Sequence, residues 1–274
     1  MDARIVDVAS ETEATFFRCL HDEKPQDPRA AALRRKWHDL HKDKGLREKV
    51  LLLESGEVAG LCQYIPIEQS PFLGRELMAI LCIWVHGYDH LVGNQQKKGF
   101  GRLILDAIEA DARESGMKGV AAWGKDFPYW NPVSFYEHMG YVRADAEGQT
   151  ILVWKPFSAD AEAPKLMRLK RPPVPGDRKV DVTVFVSGWC CGGCDYALTA
   201  RDAVQGLEDV AHYNEIDTSE RETQLEYGAG LAGIYLDGEP FRPDGPPFTT
   251  EELTAEIRKL YQRKTGQQAD SGAA

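Results

Sequence analysis

The chain has 274 residues, 43% of them hydrophobic, and sets 43 acidic against 33 basic side chains for a net charge of −10. That length favours two domains over one, and no apolar run approaches the ~18 residues that a membrane span requires. The acid excess is concentrated after residue 178, where 17 acids face 8 bases, which argues against nucleic acid as a partner of that half because phosphate contacts depend on clustered Lys and Arg.

The first residues, MDARIVDVAS, lack the basic start, apolar middle and small-residue cleavage site of a signal peptide. The sequence therefore predicts a cytoplasmic protein with reduced cysteines. Arg4 to Val8 reads as a strand and Thr12 to Leu20 as a short helix. Ala30 to His41 has helical spacing, with Leu33, Trp37 and Leu40 on one face. Lys49 to Glu54 and Val58 to Ile65 flank Ser55-Gly56-Glu57 and predict a hairpin. Met78 to Val85, a nearly continuous apolar run, predicts a central strand buried on both faces.

A loop from His86 to Asn94 leads to Gln95-Gln96-Lys97-Lys98-Gly99-Phe100-Gly101, followed by an amphipathic helix ending at Gly116. Glycines let a backbone approach a ligand closely, and the helix behind them directs free N–H groups and a partial positive charge at the same point. The pattern suits a pyrophosphate, with Lys97 and Lys98 adding charge; a helix start with solvated lysines is the bland alternative. Gly119 to Gly124 reads as the next strand, and Trp130 to Tyr141 as a short helix stopped by Gly140.

Gln96-x-x-Gly99-x-Gly101, followed in order by Phe135-Tyr136-Glu137-His138-Met139-Gly140-Tyr141, resembles the two signatures of the GNAT superfamily of acetyl-CoA-dependent N-acetyltransferases. The resemblance covers residues 1–157. It implies an α/β fold, a mixed twisted sheet flanked by helices, with acetyl-CoA held where strands Met78–His86 and Gly119–Gly124 splay apart. The backbone of Ile83, Trp84 and Val85 would bond the pantetheine amides, and Gln96, Lys97, Lys98, Gly99, Phe100, Gly101 and Arg102 would hold the pyrophosphate. An amine of a small molecule or peptide would attack the thioester directly, with no covalent enzyme intermediate. Tyr136 would protonate the departing thiolate. His86 is the leading candidate for the base, ahead of Glu68, Asp89 and His90, because imidazole titrates near neutrality. One departure concerns an Asn that many members place seven residues before the tyrosine; Asn131 lies five before Tyr136 and Tyr129 takes the usual place, so that role is not carried over. Phe127, Tyr129 and Trp130 could line an acceptor pocket or belong to the core.

Residues 158–178 hold four prolines and no periodicity, predicting an extended, semi-rigid linker. Beyond it, Val180 to Val186 predicts a strand that leads into Gly188-Trp189-Cys190-Cys191-Gly192-Gly193-Cys194, and Asp195 to Leu207 a helix. Val210 to Ile216 reads as a strand, Ser219 to Tyr227 as a helix and Gly233 to Leu236 as half of a hairpin turning at Asp237-Gly238. Thr249 to Arg263 reads as a closing helix with Thr250 as its cap. The tail 266–274 is small and polar and predicts disorder.

The order strand, Cys-x-x-Cys turn, helix resembles a smaller thioredoxin-like α/β domain over 179–265, and its pairing with a GNAT domain resembles the YoaP-type acetyltransferases. Two features depart from thioredoxins: Trp189 precedes Cys190, so that Cys191 and Cys194 form the pair and Cys190 is extra, and no proline occupies Leu231-Ala232-Gly233-Ile234. Cys190, Cys191 and Cys194 could serve as a dithiol, hold a soft metal with three thiolates, bind an iron–sulfur cluster or merely pack. Cys19, Cys62 and Cys82 read as buried packing thiols. The leading reading is an acetyltransferase with a Cys-rich accessory module; the alternative is a thiol-redox or soft-metal protein whose first domain binds CoA without catalysis.

Overall fold

The computed structural model describes residues 3–19, 27–128, 130–229, 231, 233–243 and 247–266. They fall into two compact units. One comprises residues 1–167 with 188–191, the other 168–187 with 192–274.

The first unit is built on a seven-stranded mixed sheet of order β1-β2-β3-β5-β6-β8-β7. Its strands are β1 (Ala3–Asp7), β2 (Arg47–Leu53), β3 (Val58–Pro66), β5 (Met78–Val85), β6 (Gly119–Lys125), β7 (Val142–Glu147) and β8 (Thr150–Pro156). All neighbours are antiparallel except β5 and β6. The predicted hairpin is present as β2 and β3, and β3, paired on both edges, is buried from Val58 to Ile65. Helix α3 (Phe100–Glu114) lays Ile104, Leu105, Ile108 and Ala112 against the sheet, at the helical spacing that the sequence displays. Each of these larger aliphatic groups is worth roughly 1.5–3 kcal/mol when fully buried.

Within this unit the first two helices and part of the predicted linker differ from the sequence reading. Helix α1 spans Ser10–Arg18 and stops at Cys19, which takes φ 61°; the predicted end at Leu20 lies outside the described residues. Helix α2 (Pro28–His41) is capped by the Asp27 carboxylate, which accepts from the Arg29 amide at 2.8 Å, with Pro28 at the first position, where its missing N–H costs nothing. Its buried positions are Ala30, Arg34, Trp37 and His41, and Leu33 and Leu40 are only half-buried. The apolar face is thus rotated to admit a guanidinium that finds carbonyl partners inside. Finally, Lys165–Leu166 of the predicted linker is a short strand, β9, paired with β4 (Phe72–Leu73).

The short helix α4 (Val133–His138) is narrower than the expected Trp130 to Tyr141; Met139 is its C-cap, and Gly140 just beyond takes φ 86°.

The second unit carries a four-stranded sheet of order β11-β10-β12-β13, formed by β10 (Val180–Val186), β11 (Ala211–Asp217), β12 (Gly233–Leu236) and β13 (Glu239–Pro240). β11 runs parallel to β10, and β12 antiparallel to it. Helix α5 runs Cys191–Val204, its first residue counted with the first unit, so Cys191 and Cys194 lie in its first turn, Cys190 just before it, and the helix does not start at Asp195. Helix α6 is Arg221–Tyr227, and α7 (Thr250–Thr265) is capped by Thr249, which exchanges hydrogen bonds with Glu252. The cap is therefore one residue before the Thr250 expected from the sequence. Val182, Val184, Ala200, Ile234, Leu253 and Ile257 are central to this unit's core. Past Gly266 the tail lies outside the described residues. No helix among the described residues is long and apolar enough to cross a membrane.

Candidate functional site

The parallel neighbours β5 and β6 pair at only two positions, Met78↔Val120 and Ala79↔Ala121. Each then follows its other neighbour: β5 stays with β3 through Gly60↔Val85, and β6 stays with β8 through Lys125↔Thr150. From Ile80 to Val85, β5 has no ladder partner on the β6 side, so the sheet opens into a wedge. Part of that edge is satisfied internally, since the Trp123 indole N–H donates to the Leu81 carbonyl at 2.9 Å. Ile83, Trp84 and Val85 are half-buried along the opened stretch. Backbone groups in such a stretch need partners from outside the sheet.

Helix α3 begins beside the end of β5. Gly99 is its N-cap, in the left-handed region at φ 84°, and no side chain caps the helix. The first amides of a helix have no partner within it, and with Gln96, Lys97, Lys98, Gly99 and Arg102 exposed around them they form a positive, donor-rich surface. Gln96 bends back over Gly87, where a Cβ would stand 2.3 Å from Gln96 Nε2, and its amide points to the Val85 carbonyl at 3.5 Å. Lys98 Nζ donates to Gln95 Oε1 at 2.9 Å. Two predicted binding residues have other or narrower roles here. The Phe100 side chain is buried in the core with Ile104, leaving only its backbone to face a ligand. A Cβ on Gly101 would lie 2.9 Å from the Phe135 ring, so that glycine is required by packing of α3 against α4.

His86 follows β5 and is fully buried. Its Nδ1 lies 3.0 Å from the Gly93 carbonyl, and Nε2 has no hydrogen-bond partner among the described residues. A carbonyl can only accept, so in the neutral ring Nδ1 carries the proton and Nε2 the lone pair. The rings of Tyr88 and His90 meet His86 edge-on at 5.8 and 5.2 Å. Of the other base candidates, Glu68 accepts from the Glu76 amide at 2.7 Å and Asp89 is exposed.

Tyr136, on α4, is buried, its hydroxyl 3.5 Å from Asn131 Oδ1. Burial pushes the phenol well above its ordinary range, and charge on Cys82 or Cys62 would push it further. Asn131 is held in turn, since its Nδ2 donates to the Trp123 carbonyl at 2.9 Å. Sequence reasoning set Asn131 aside on spacing and missed Trp123; no linear signal marks a pair joined through two elements. Trp130 is exposed and meets Trp123 edge-on at 5.6 Å, Phe127 is half-buried, and Tyr129 lies outside the described residues.

Among the described residues no group of three or more His, Cys, Asp or Glu is arranged to hold a metal ion. The buried Cys194 directs its sulfur to the Ser187 carbonyl at 4.0 Å. Cys191, also buried, directs its sulfur to the carbonyls of Phe17 and Arg18, at 3.9 and 4.0 Å. Cys190 is half-exposed.

No family model matches the chain. It is 32% identical over 87 residues to a Bacillus subtilis (strain 168) protein described as an uncharacterized N-acetyltransferase, YoaP; the match spans 30% of this chain and 32% of that protein. The chain thus spans about a third of the length of that curated relative. Among solved structures, a GNAT-family acetyltransferase of Staphylococcus aureus Mu50 is 11% identical, covering 57% of this chain and 100% of that one with a TM-score of 0.42. The PaiA N-acetyltransferase of Thermoplasma acidophilum, solved with coenzyme A, is 12% identical, with 57% and 99% covered and a TM-score of 0.42. The Escherichia coli GNAT-family N-acetyltransferase YhbS, solved with CoA, is 15% identical, with 60% and 89% covered and a TM-score of 0.41.

Proposed function

We propose that the first unit is a GNAT-type N-acetyltransferase that moves the acetyl group of acetyl-CoA to an amine of a small molecule or peptide by direct attack in a ternary complex. The observation that carries this reading is the two-pair contact between β5 and β6, which opens a wedge beside the uncapped start of α3. Pantetheine amides would bond the free backbone edge from Ile80 to Val85, and the pyrophosphate would lie on the amides after Gly99, flanked by Lys97, Lys98 and Arg102. The attacking amine must lose a proton; the free lone pair of His86 Nε2 suits that task directly or through one water. Tyr136 is kept protonated by burial and so stays a donor for the departing thiolate. The position of Asn131 favours a role in aiming that hydroxyl.

We read the second unit as a thioredoxin-like accessory module. Strand β10, helix α5 opened by Cys191, parallel β11, antiparallel β12 and closing helix α7 support that order. Its task in this reading is thiol chemistry or acceptor recruitment.

The test uses the full chain: calorimetric titration with acetyl-CoA, then a library of polyamines, aminoglycoside-like amines and peptide amines screened by CoA release. Binding followed by amine-dependent CoA release is the expected result. Binding without release for any amine would leave a CoA-responsive module, and absence of binding would remove the reading altogether.

A further inference from the structure

Arg34 is the feature that the acetyl-transfer reading does not use. Its guanidinium is buried, wedged against the rings of Phe16 and Phe17 at 5.0 and 5.7 Å. Among the described residues its hydrogen-bond partners are neutral: the carbonyls of Phe16 and Phe17, at 2.7 and 3.1 Å, and Gln63 Oε1 at 3.3 Å. A buried cation held only by neutral groups is costly, and a nearby negative charge offsets that cost. Around Arg34 the groups able to supply one are the buried Glu48 carboxylate and several thiols. Burial works against the Arg34 charge, and thiolate at Cys191, Cys19, Cys82 or Cys190 more than restores it.

Two of those thiols meet. The Cys191 sulfur lies against the carbonyls of Phe17 and Arg18, the residues that lead into Cys19, and the Cys19 and Cys191 side chains are hydrogen-bonded. Cys19 is brought there by a backbone conformation uncommon for a non-glycine residue, φ 61° at the end of α1. The pair is asymmetric. Hydrogen bonding to Cys191, then burial, then charge on Cys191 hold the Cys19 thiol well above its ordinary value. Cys191 also opens α5, where the helix N-terminus favours a thiolate.

We propose that Cys191 and Cys19 are a thiol–disulfide exchange pair that reacts with small-molecule disulfides, Cys191 attacking, Cys19 resolving and Arg34 stabilising the attacking thiolate. The Cys191 thiolate attacks one sulfur of the small disulfide, breaks its S–S bond and expels one thiolate, which takes up the proton that Cys191 released. Cys19 then gives up its proton and attacks Cys191 Sγ, expelling the second small thiol. The protein loses two electrons and forms one S–S bond, and the small disulfide is reduced to two thiols. This partner differs from Cys194, the one that sequence spacing suggests. The inference stands apart from acetyl transfer and can fail or hold without it.

The experiment is mass-resolved thiol trapping of the full-length protein across a series of reduced to oxidised glutathione, with peptide mapping. The expected product is a cross-link between the Cys19 and Cys191 peptides, retained in Cys194→Ser. In Cys19→Ser the attacking step should stop halfway, leaving glutathione attached to Cys191. In Arg34→Met, formation of the cross-link should slow roughly tenfold or more, as expected when a thiolate loses its nearby cation. A Cys191–Cys194 cross-link in the wild type, or Cys19 remaining free at the most oxidising ratio, overturns the pair. Both results come from the unaltered chain, so they do not depend on any variant folding. An unchanged rate in Arg34→Met overturns the assignment of the thiolate partner.

Discussion

The Tyr136 hydroxyl faces Oδ1 of Asn131 across 3.5 Å, and the same amide donates through Nδ2 to the Trp123 carbonyl at 2.9 Å. Because a carbonyl must receive the N–H, the amide can turn only its oxygen toward the phenol. The phenol is therefore aimed by β6, the strand that forms one wall of the wedge, and not by its own helix alone. The hydroxyl contact is long for an O–H···O bond, which leaves the proton free to shift to a closer acceptor. Tyr136→Phe should keep the ring's packing and lower kcat by ~10²–10⁴-fold, the usual loss for a general acid, with acetyl-CoA affinity almost unchanged. Asn131→Ala should lower kcat less and leave KM for acetyl-CoA nearly constant. Steady-state kinetics with calorimetry of both variants checks this, and equal kcat for Tyr136→Phe and wild type would reduce Tyr136 to packing.

His86 offers a test that a packing role cannot pass. The Gly93 carbonyl fixes its Nδ1 proton and leaves Nε2 bare in a buried place, so removing the ring removes a base and creates a cavity of imidazole shape. His86→Ala should lose ~10²–10⁴-fold in kcat and regain part of it when imidazole is added to the assay. Lost activity with no rescue at any imidazole concentration would assign the histidine to structure.

The fold was legible where chemistry is local. Short apolar runs bounded by turn residues marked β2, β3 and β5, and helical spacing of apolar residues marked α3, because burial imposes a length and a period that the sequence displays. What stayed hidden is non-local. Arg34 occupies a buried position of α2 that spacing reserves for an aliphatic side chain, and acceptors on other elements, the carbonyls of Phe16 and Phe17 and the side-chain oxygen of Gln63, make that possible. Cys19 reads as a packing thiol because its neighbour Cys191 stands 172 positions later in sequence. The glycine loop was visible, but the separate reasons for Gly99 and Gly101 were not: one concerns a dihedral angle, the other a ring on another helix.

Those two glycines should respond differently. Gly99 sits at φ 84° with nothing within 4 Å of a Cβ, and Gly101 would set a Cβ 2.9 Å from Phe135. Gly99→Ala should cost about 1–2 kcal/mol, the penalty of the left-handed region, with the site's contacts otherwise unchanged. Gly101→Ala should cost about 1–3 kcal/mol through overpacking and should also shift Phe135, the residue before Tyr136, so that kcat falls with stability. Gly101→Leu, which adds bulk beside the helix start, should in addition weaken acetyl-CoA binding. Denaturant unfolding and calorimetry check all three variants, and an unchanged affinity in Gly101→Leu would move the pyrophosphate off these amides.

Cys62 gives a pH dependence whose sign can be worked out. Its sulfur is buried in the core, and burial first, then charge on Cys82, push its thiol well above the ordinary 9.0. Cys82, pushed up chiefly by desolvation, reaches about 12. With a raised folded-state value, the native chain keeps a proton that the unfolded chain releases near pH 9. Between that pH and the folded value the native state binds more protons, so stability falls as pH rises, by ~1.36 kcal/mol per pH unit for one thiol. The contribution is fully present below pH 9 and lost above it. Cys62→Ala leaves a cavity and should be less stable than wild type at pH 8. Because the variant has no thiol to hold, its stability falls less steeply, and the gap to wild type should narrow by about 1 kcal/mol between pH 9 and pH 10. Urea unfolding of both proteins at pH 8, 9 and 10 measures the gap; a constant difference across the three would show that Cys62 ionises as readily in the folded chain as in the unfolded one.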